Sequence, residues 1–149
     1  MAGYSDSRSY QRLSAEGRRR FDALAQLVQT TFSAEIRDCF VSEVIQEDGR
    51  TIYPSFVLFL DEGISECHNP MVEEHYDFFA FRGRLHGLDI RSHSYSRGQA
   101  TAESRLTAKA YFSGAMGSTL MLQAAGEGCD ELSRILADRL LPAMVKECR

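Results

Sequence analysis

From Ser14 onward the chain becomes amphipathic: Phe21, Leu24, Leu27, Val28 and Phe32 recur at intervals of three and four, with polar and charged residues between them. That period predicts a helix over roughly residues 14–32 with one apolar stripe, Ser14 as its cap and Glu16 in the first turn, where the macrodipole favours an acid. The pattern then shortens. Ile36, Cys39, Phe40, Val41, Val44 and Ile45 precede Asp48-Gly49, and a second apolar run, Phe56 to Leu60, follows it. Asp-Gly between two apolar runs is a strong hairpin signal. Pro54 lacks an N–H, so its strand is expected at a sheet edge or a bulge, and the continuous apolar run after it points to burial on both faces.

Residues 61–75 hold five acids and Asn69-Pro70 and read as a polar connection. Tyr76 to Leu85 and Leu88 to Tyr95 follow as aromatic-rich strands, with Gly83 and Gly87 supplying a bulge or turn. Within Glu103 to Ser113, Leu106, Ala108, Ala110 and Phe112 alternate with Arg105, Thr107, Lys109 and Tyr111, the pattern of a half-buried strand. Gly114 to Gly117 then turn the chain into a strand over Thr119 to Ala125. Leu132, Ile135, Leu136, Leu140, Leu141 and Met144 mark a last helix, in which Pro142 predicts a kink or break near Arg139.

Strands joined by short connections between two helices predict an α+β fold: an antiparallel meander of five to six strands with the N- and C-terminal helices packed on one face. Residues 1–13, rich in Ser and Arg, read as a flexible arm ahead of a single domain over 14–149.

Composition bounds the function. With 149 residues, 44% of them apolar and 26% charged, the chain can bury a core without disulfides. Cys39, Cys67, Cys129 and Cys148 form no C-x-x-C pair and are expected as reduced thiols. No run has transmembrane length and the start lacks an apolar signal core, so a cytoplasmic protein is expected, an exported form requiring a leader ahead of this chain. A net charge of −4 disfavours nucleic acid as a partner. The charge is segregated: residues 36–75 hold two bases against nine acids, residues 76–114 six bases against three acids.

No phosphate loop, nucleophile elbow, His-Glu-x-x-His or dinucleotide fingerprint is present. The leading expectation is therefore a non-catalytic binding or assembly module without a cofactor, self-associating or recognising a protein or acidic ligand through its sheet face or through the edge at Pro54. Arg82, Arg84, Arg91 and Arg105, with Tyr95 and Tyr111, are its candidate binding residues, because guanidinium forks suit carboxylates and tyrosines suit interfaces. The plainer account of the same residues is the ordinary polar face of an antiparallel sheet. A second expectation is a small metal-dependent enzyme or sensor. His68, His75, Glu73 and Glu74, within residues 66–75, would offer N and O donors to a divalent metal, although a solvated acidic loop explains them as well. A third is a small-molecule cup lined by Phe56, Phe78, Phe79, Phe81 and Phe112, against the alternative that these are simply core.

Overall fold

The computed structural model describes residues 3–42, 55–61, 63–68, 77–81, 84–113 and 118–147. It is α+β with antiparallel ladders, in two compact units, Met1–Ala80 and Phe81–Arg149. The first contains a 3-10 turn (Tyr4–Asp6), helices α1 (Arg8–Gln11) and α2 (Ala15–Phe32), and strands β1 (Ile36–Ser42), β2 (Ser55–Leu60) and β3 (Gly63–His68), with β4 (Asp77–Phe81) at the boundary. The second contains β5 (Leu85–His93), β6 (Arg105–Phe112), β7 (Ser118–Ala125), α3 (Gly128–Ile135), a π-helical turn (Leu136–Leu140) and α4 (Leu141–Glu147). The strands are hydrogen-bonded as two sheets, ordered β1-β2-β3-β4 and β5-β6-β7, where the sequence pattern suggested one meander of five to six strands. Each helix also serves its own sheet: α2 joins the core of the first unit, and α3 packs on β6 and β7.

In the first unit the Ser14 hydroxyl accepts from the Gly17 N–H at 3.1 Å and starts α2 where the pattern predicts. Phe21, Leu24, Ala25 and Val28 are fully buried and pack in one cluster with Ile36, Cys39, Phe56, Leu58 and Cys67. Leu27, counted on the apolar stripe, is instead 41% exposed. Residues 3–13, whose composition suggested an arm, are anchored to this cluster. The rings of Tyr4 and Tyr10 lie 5.3 and 5.6 Å from that of Phe21, and both hydroxyls donate to Asp22 Oδ1, at 2.9 and 3.0 Å.

Burial first, and then the bond to Asp22, raises the pKa of both phenols above the ordinary 10.0. Because the folded chain favours the protonated phenols, their contribution to stability is fully present below pH 10.0 and is lost as pH rises through the raised values. Asp22→Ala is expected to reduce that alkaline dependence to the part that burial supplies and to speed amide hydrogen exchange across Tyr4–Gln11, with α2 itself unchanged. Alkaline exchange and melting profiles equal to those of the parent would refute the anchor.

Strand β2 is interior to its sheet. Its register runs Cys39↔Leu58 and Val41↔Phe56 on one side, Leu58↔Ser65 and Phe56↔Cys67 on the other. Ser55 to Phe59 are all buried, as the continuous apolar run predicts. Of the edge or bulge expected near the start of the Pro54 strand, the edge is corrected over Ser55–Leu60, since both ladders of β2 are filled; Pro54 itself and Asp48-Gly49 lie outside the described residues. The polar connection expected over 61–75 is corrected for Gly63–His68, which is β3 with Ile64, Ser65, Glu66 and Cys67 buried; residues 69–75 lie outside the described residues. Glu66 accepts a hydrogen bond from the Ser55 hydroxyl at 3.3 Å, which offsets part of the cost of taking a carboxylate out of water.

In the second unit β6 shows the alternation its sequence predicts, with Leu106, Ala108, Ala110 and Phe112 buried and Arg105, Thr107, Lys109 and Tyr111 half-buried. Gly87 does not close a hairpin but lies at a register shift within β5, beside the Tyr111 ring, which a methyl group on Gly87 would meet at 3.6 Å. The break expected before Pro142 takes the form of the π-helical turn: α3 ends at Ile135 and the α-helix resumes only at Leu141. Pro142 has no N–H to give the Asp138 carbonyl, and the wider turn absorbs the lost bond.

Candidate functional site

Directly opposed residues of an antiparallel ladder share a face. The register of β5-β6-β7 therefore sets out four rows on one face: Gly87, Tyr111 and Thr119; Asp89, Lys109 and Met121; Arg91, Thr107 and Gln123; His93, Arg105 and Ala125. The other face is apolar and buried along β6 and β7, while on β5 it carries Ile90 and Ser92, both exposed. Leu106, Ala108, Ala110, Phe112, Leu120, Leu122 and Ala124 are buried there, as are Leu132 and Ile135 of the helix packed on those strands. The first face stays open to solvent, with Arg91, His93, Thr119 and Met121 exposed and the rest half-buried.

This open face carries Arg91, Arg105 and Lys109 against Asp89, three bases against one acid, or +2 on a chain of net −4. The Arg91 guanidinium is 3.6 Å from Asp89 Oδ2 and its side chain is 82% exposed, so water screens the pair and leaves the arginine available. Arg105 is held in place differently, donating from Nη1 to the Ala102 and Ser104 carbonyls at 3.2 and 2.8 Å. Tyr111 closes the row at the far end, beside Gly87. Strands position all four side chains, so their spacing follows from the ladder rather than from loop conformation.

Arg91 and Arg105 thus fall in neighbouring rows and Tyr111 at the other end of the same face, about 20 Å along β6, whereas Arg84 and Tyr95 lie off it. Arg84 is exposed ahead of β5, where its carbonyl accepts from the Ser113 N–H at 2.8 Å, and Arg82 lies outside the described residues. Tyr95 is turned toward α3: its hydroxyl donates to Asp130 Oδ1 at 2.8 Å, and the Gly98 N–H donates to the same oxygen at 2.9 Å. Burial, followed by the bond to Asp130, raises the Tyr95 pKa. Lys109, Asp89, Met121 and Gln123 complete the open face. Strand parity signals Lys109 within β6, but assigning the other three needs the register across strands.

Of the proposed metal donors, His68 is the last residue of β3, and His75, Glu73 and Glu74 lie outside the described residues. Among the described residues no group of three or more His, Cys, Asp or Glu side chains is placed to hold a metal ion. Phe56 belongs to the core of the first unit, Phe112 is buried in the second, and Phe78, Phe79 and Phe81 fall on β4. Cys39, Cys67 and Cys129 are buried, and the Cys39 sulfur lies 3.0 Å from the Ser7 hydroxyl.

No protein-family model, curated protein or solved structure matches the chain. Among the described residues no helix is long and apolar enough to cross a membrane.

Proposed function

We propose that the chain is a non-catalytic binding module that recognises an acidic segment of a protein partner through the open face of β5-β6-β7. The observation that carries this reading is that Arg91, Arg105, Lys109 and Tyr111 lie along one solvent-facing side of a sheet whose other side is core along β6 and β7. Guanidinium groups pair with carboxylates in bidentate fashion, and a local excess of positive charge on an otherwise acidic protein gives such a segment one favourable place to land. Tyr111 adds a rigid amphipathic contact.

Calorimetric titration with a Glu-rich peptide tests it. Binding is expected to weaken with added salt, because the contacts are exposed, and a Lys-rich peptide of equal length is expected not to bind. The triple variant Arg91→Glu, Arg105→Glu, Lys109→Glu takes the face from +2 to −4, since three acids join Asp89 and no base remains. Its affinity is expected to fall by about 100-fold or more, with circular dichroism reporting whether the fold is retained. Equal affinity in a folded triple variant, or equal binding of the Lys-rich peptide, would reject the assignment.

A further inference from the structure

Strand β7 ends its sheet: β6 pairs with one side, and among the described residues the sheet order places no strand on the other. An edge strand presents a row of backbone donors and acceptors that templates further pairing, and proteins blunt such edges with charges, proline or bulges. The two edges of this sheet contrast. Strand β5 carries Asp89 and Arg91 and a register shift between Leu85 and Gly87. Strand β7 reads Ser-Thr-Leu-Met-Leu-Gln-Ala-Ala, without charge or proline, and its register with β6 runs unbroken from Ser118 to Ala125. Met121, in its middle, is 40% exposed.

We propose that β7 pairs antiparallel with β7 of a second copy of this chain across a two-fold axis, joining two three-stranded sheets into one of six strands. Strand composition favours a second copy over an acidic ligand at this edge. A two-fold axis sets each side chain near the axis against its own twin or close neighbours, so any charge there would repel itself; β7 has none, and it offers an acidic segment no base. Registers centred on Met121 or Leu122 also keep every side chain on its own face. In the register centred on Leu122, Leu120, Leu122 and Ala124 meet the same set from the partner; in that centred on Met121, Leu120 meets the partner's Leu122; in both the apolar layer runs on across the junction. Both basic faces fall on one side of the joined sheet. This pairing goes beyond the acidic-partner reading, because β7 supplies none of the charges that reading uses.

Sedimentation equilibrium of the full chain, from low to high micromolar concentration, tests the pairing. The parent is expected at twice the 16.8 kDa chain mass. Met121→Lys, at an exposed position, is expected to sediment as a single chain and to keep the parent's circular dichroism. Ile90→Lys on β5, where the native side chain is 45% exposed, is expected to leave the dimer intact. Should Met121→Lys melt early, Thr119→Lys places the same charge at another exposed position of β7. A parent that stays a single chain throughout, or a folded β7 lysine variant that remains dimeric, would overturn the proposal. Because a lysine at Met121 or Thr119 also adds charge to the basic face, the Glu-rich peptide is titrated into the parent and into Ile90→Lys, which separates failure of the pairing from failure of the ligand reading.

Discussion

Phe21→Ala is expected to lower the free energy of unfolding by about 3–5 kcal/mol. Phe21 is fully buried, and its ring lies 4.8 Å from Phe56 on β2, 5.3 Å from Tyr4 and 5.6 Å from Tyr10. The substitution therefore removes a side chain that ties α2 both to the sheet and to the N-terminal segment, and the two sides cannot both collapse into the space it leaves. Against a total stability on the order of 5–15 kcal/mol, the loss should move the urea midpoint far toward zero. Phe21→Leu refills most of the volume and should cost clearly less. A loss under about 1 kcal/mol for Phe21→Ala would mean that the aromatic cluster is not packed as described.

The second large effect is expected from Ala108→Asp. Ala108 and Ala110 are fully buried on the central strand β6, as are Leu132 and Ile135 of α3, which packs on that strand. A carboxylate introduced there has no cation or donor built to meet it, and an uncompensated buried charge costs about 3–5 kcal/mol. Burial favours the neutral carboxyl, so its folded-state pKa rises above the ordinary value of about 4. The folded state then binds more protons than the unfolded one, and the deficit grows as pH rises from the acid range toward neutrality. Thermal melts at acid and neutral pH should show this trend. Thr107→Asp, on the open face one residue away, should change stability by no more than about 0.5 kcal/mol. Similar behaviour of the two variants would show that the faces of β6 had been assigned wrongly.

Local pattern carried part of this fold. Phe21, Leu24 and Val28 announce α2, the strict alternation from Arg105 to Phe112 announces β6, and Pro142 announces the break that the π-helical turn realises. Strand β3 was hidden because its buried positions include Ser65, Glu66 and Cys67, polar or small residues whose burial depends on neighbours such as the Ser55 hydroxyl. The anchoring of Tyr4 and Tyr10 was hidden for a related reason, since Asp22 lies on a different element and only tertiary structure brings it to their hydroxyls. The division into two sheets rests on which strands pair, and the polarity of single residues does not encode that. The open face was half legible. Parity places Arg105, Lys109 and Tyr111 together on β6, but only the register adds Arg91 and turns Tyr95 away toward α3.

Asp130 gives that last contact a wider consequence. In the first turn of α3 it complements the positive end of the helix dipole, and the same carboxylate oxygen receives both the Tyr95 hydroxyl and the Gly98 N–H. Helix initiation and the path of the chain between β5 and β6 thus share one atom. Evolution or design cannot retune the one without disturbing the other, so the segment from Ser94 to Ser104 is tethered where insertions would otherwise be easiest to tolerate.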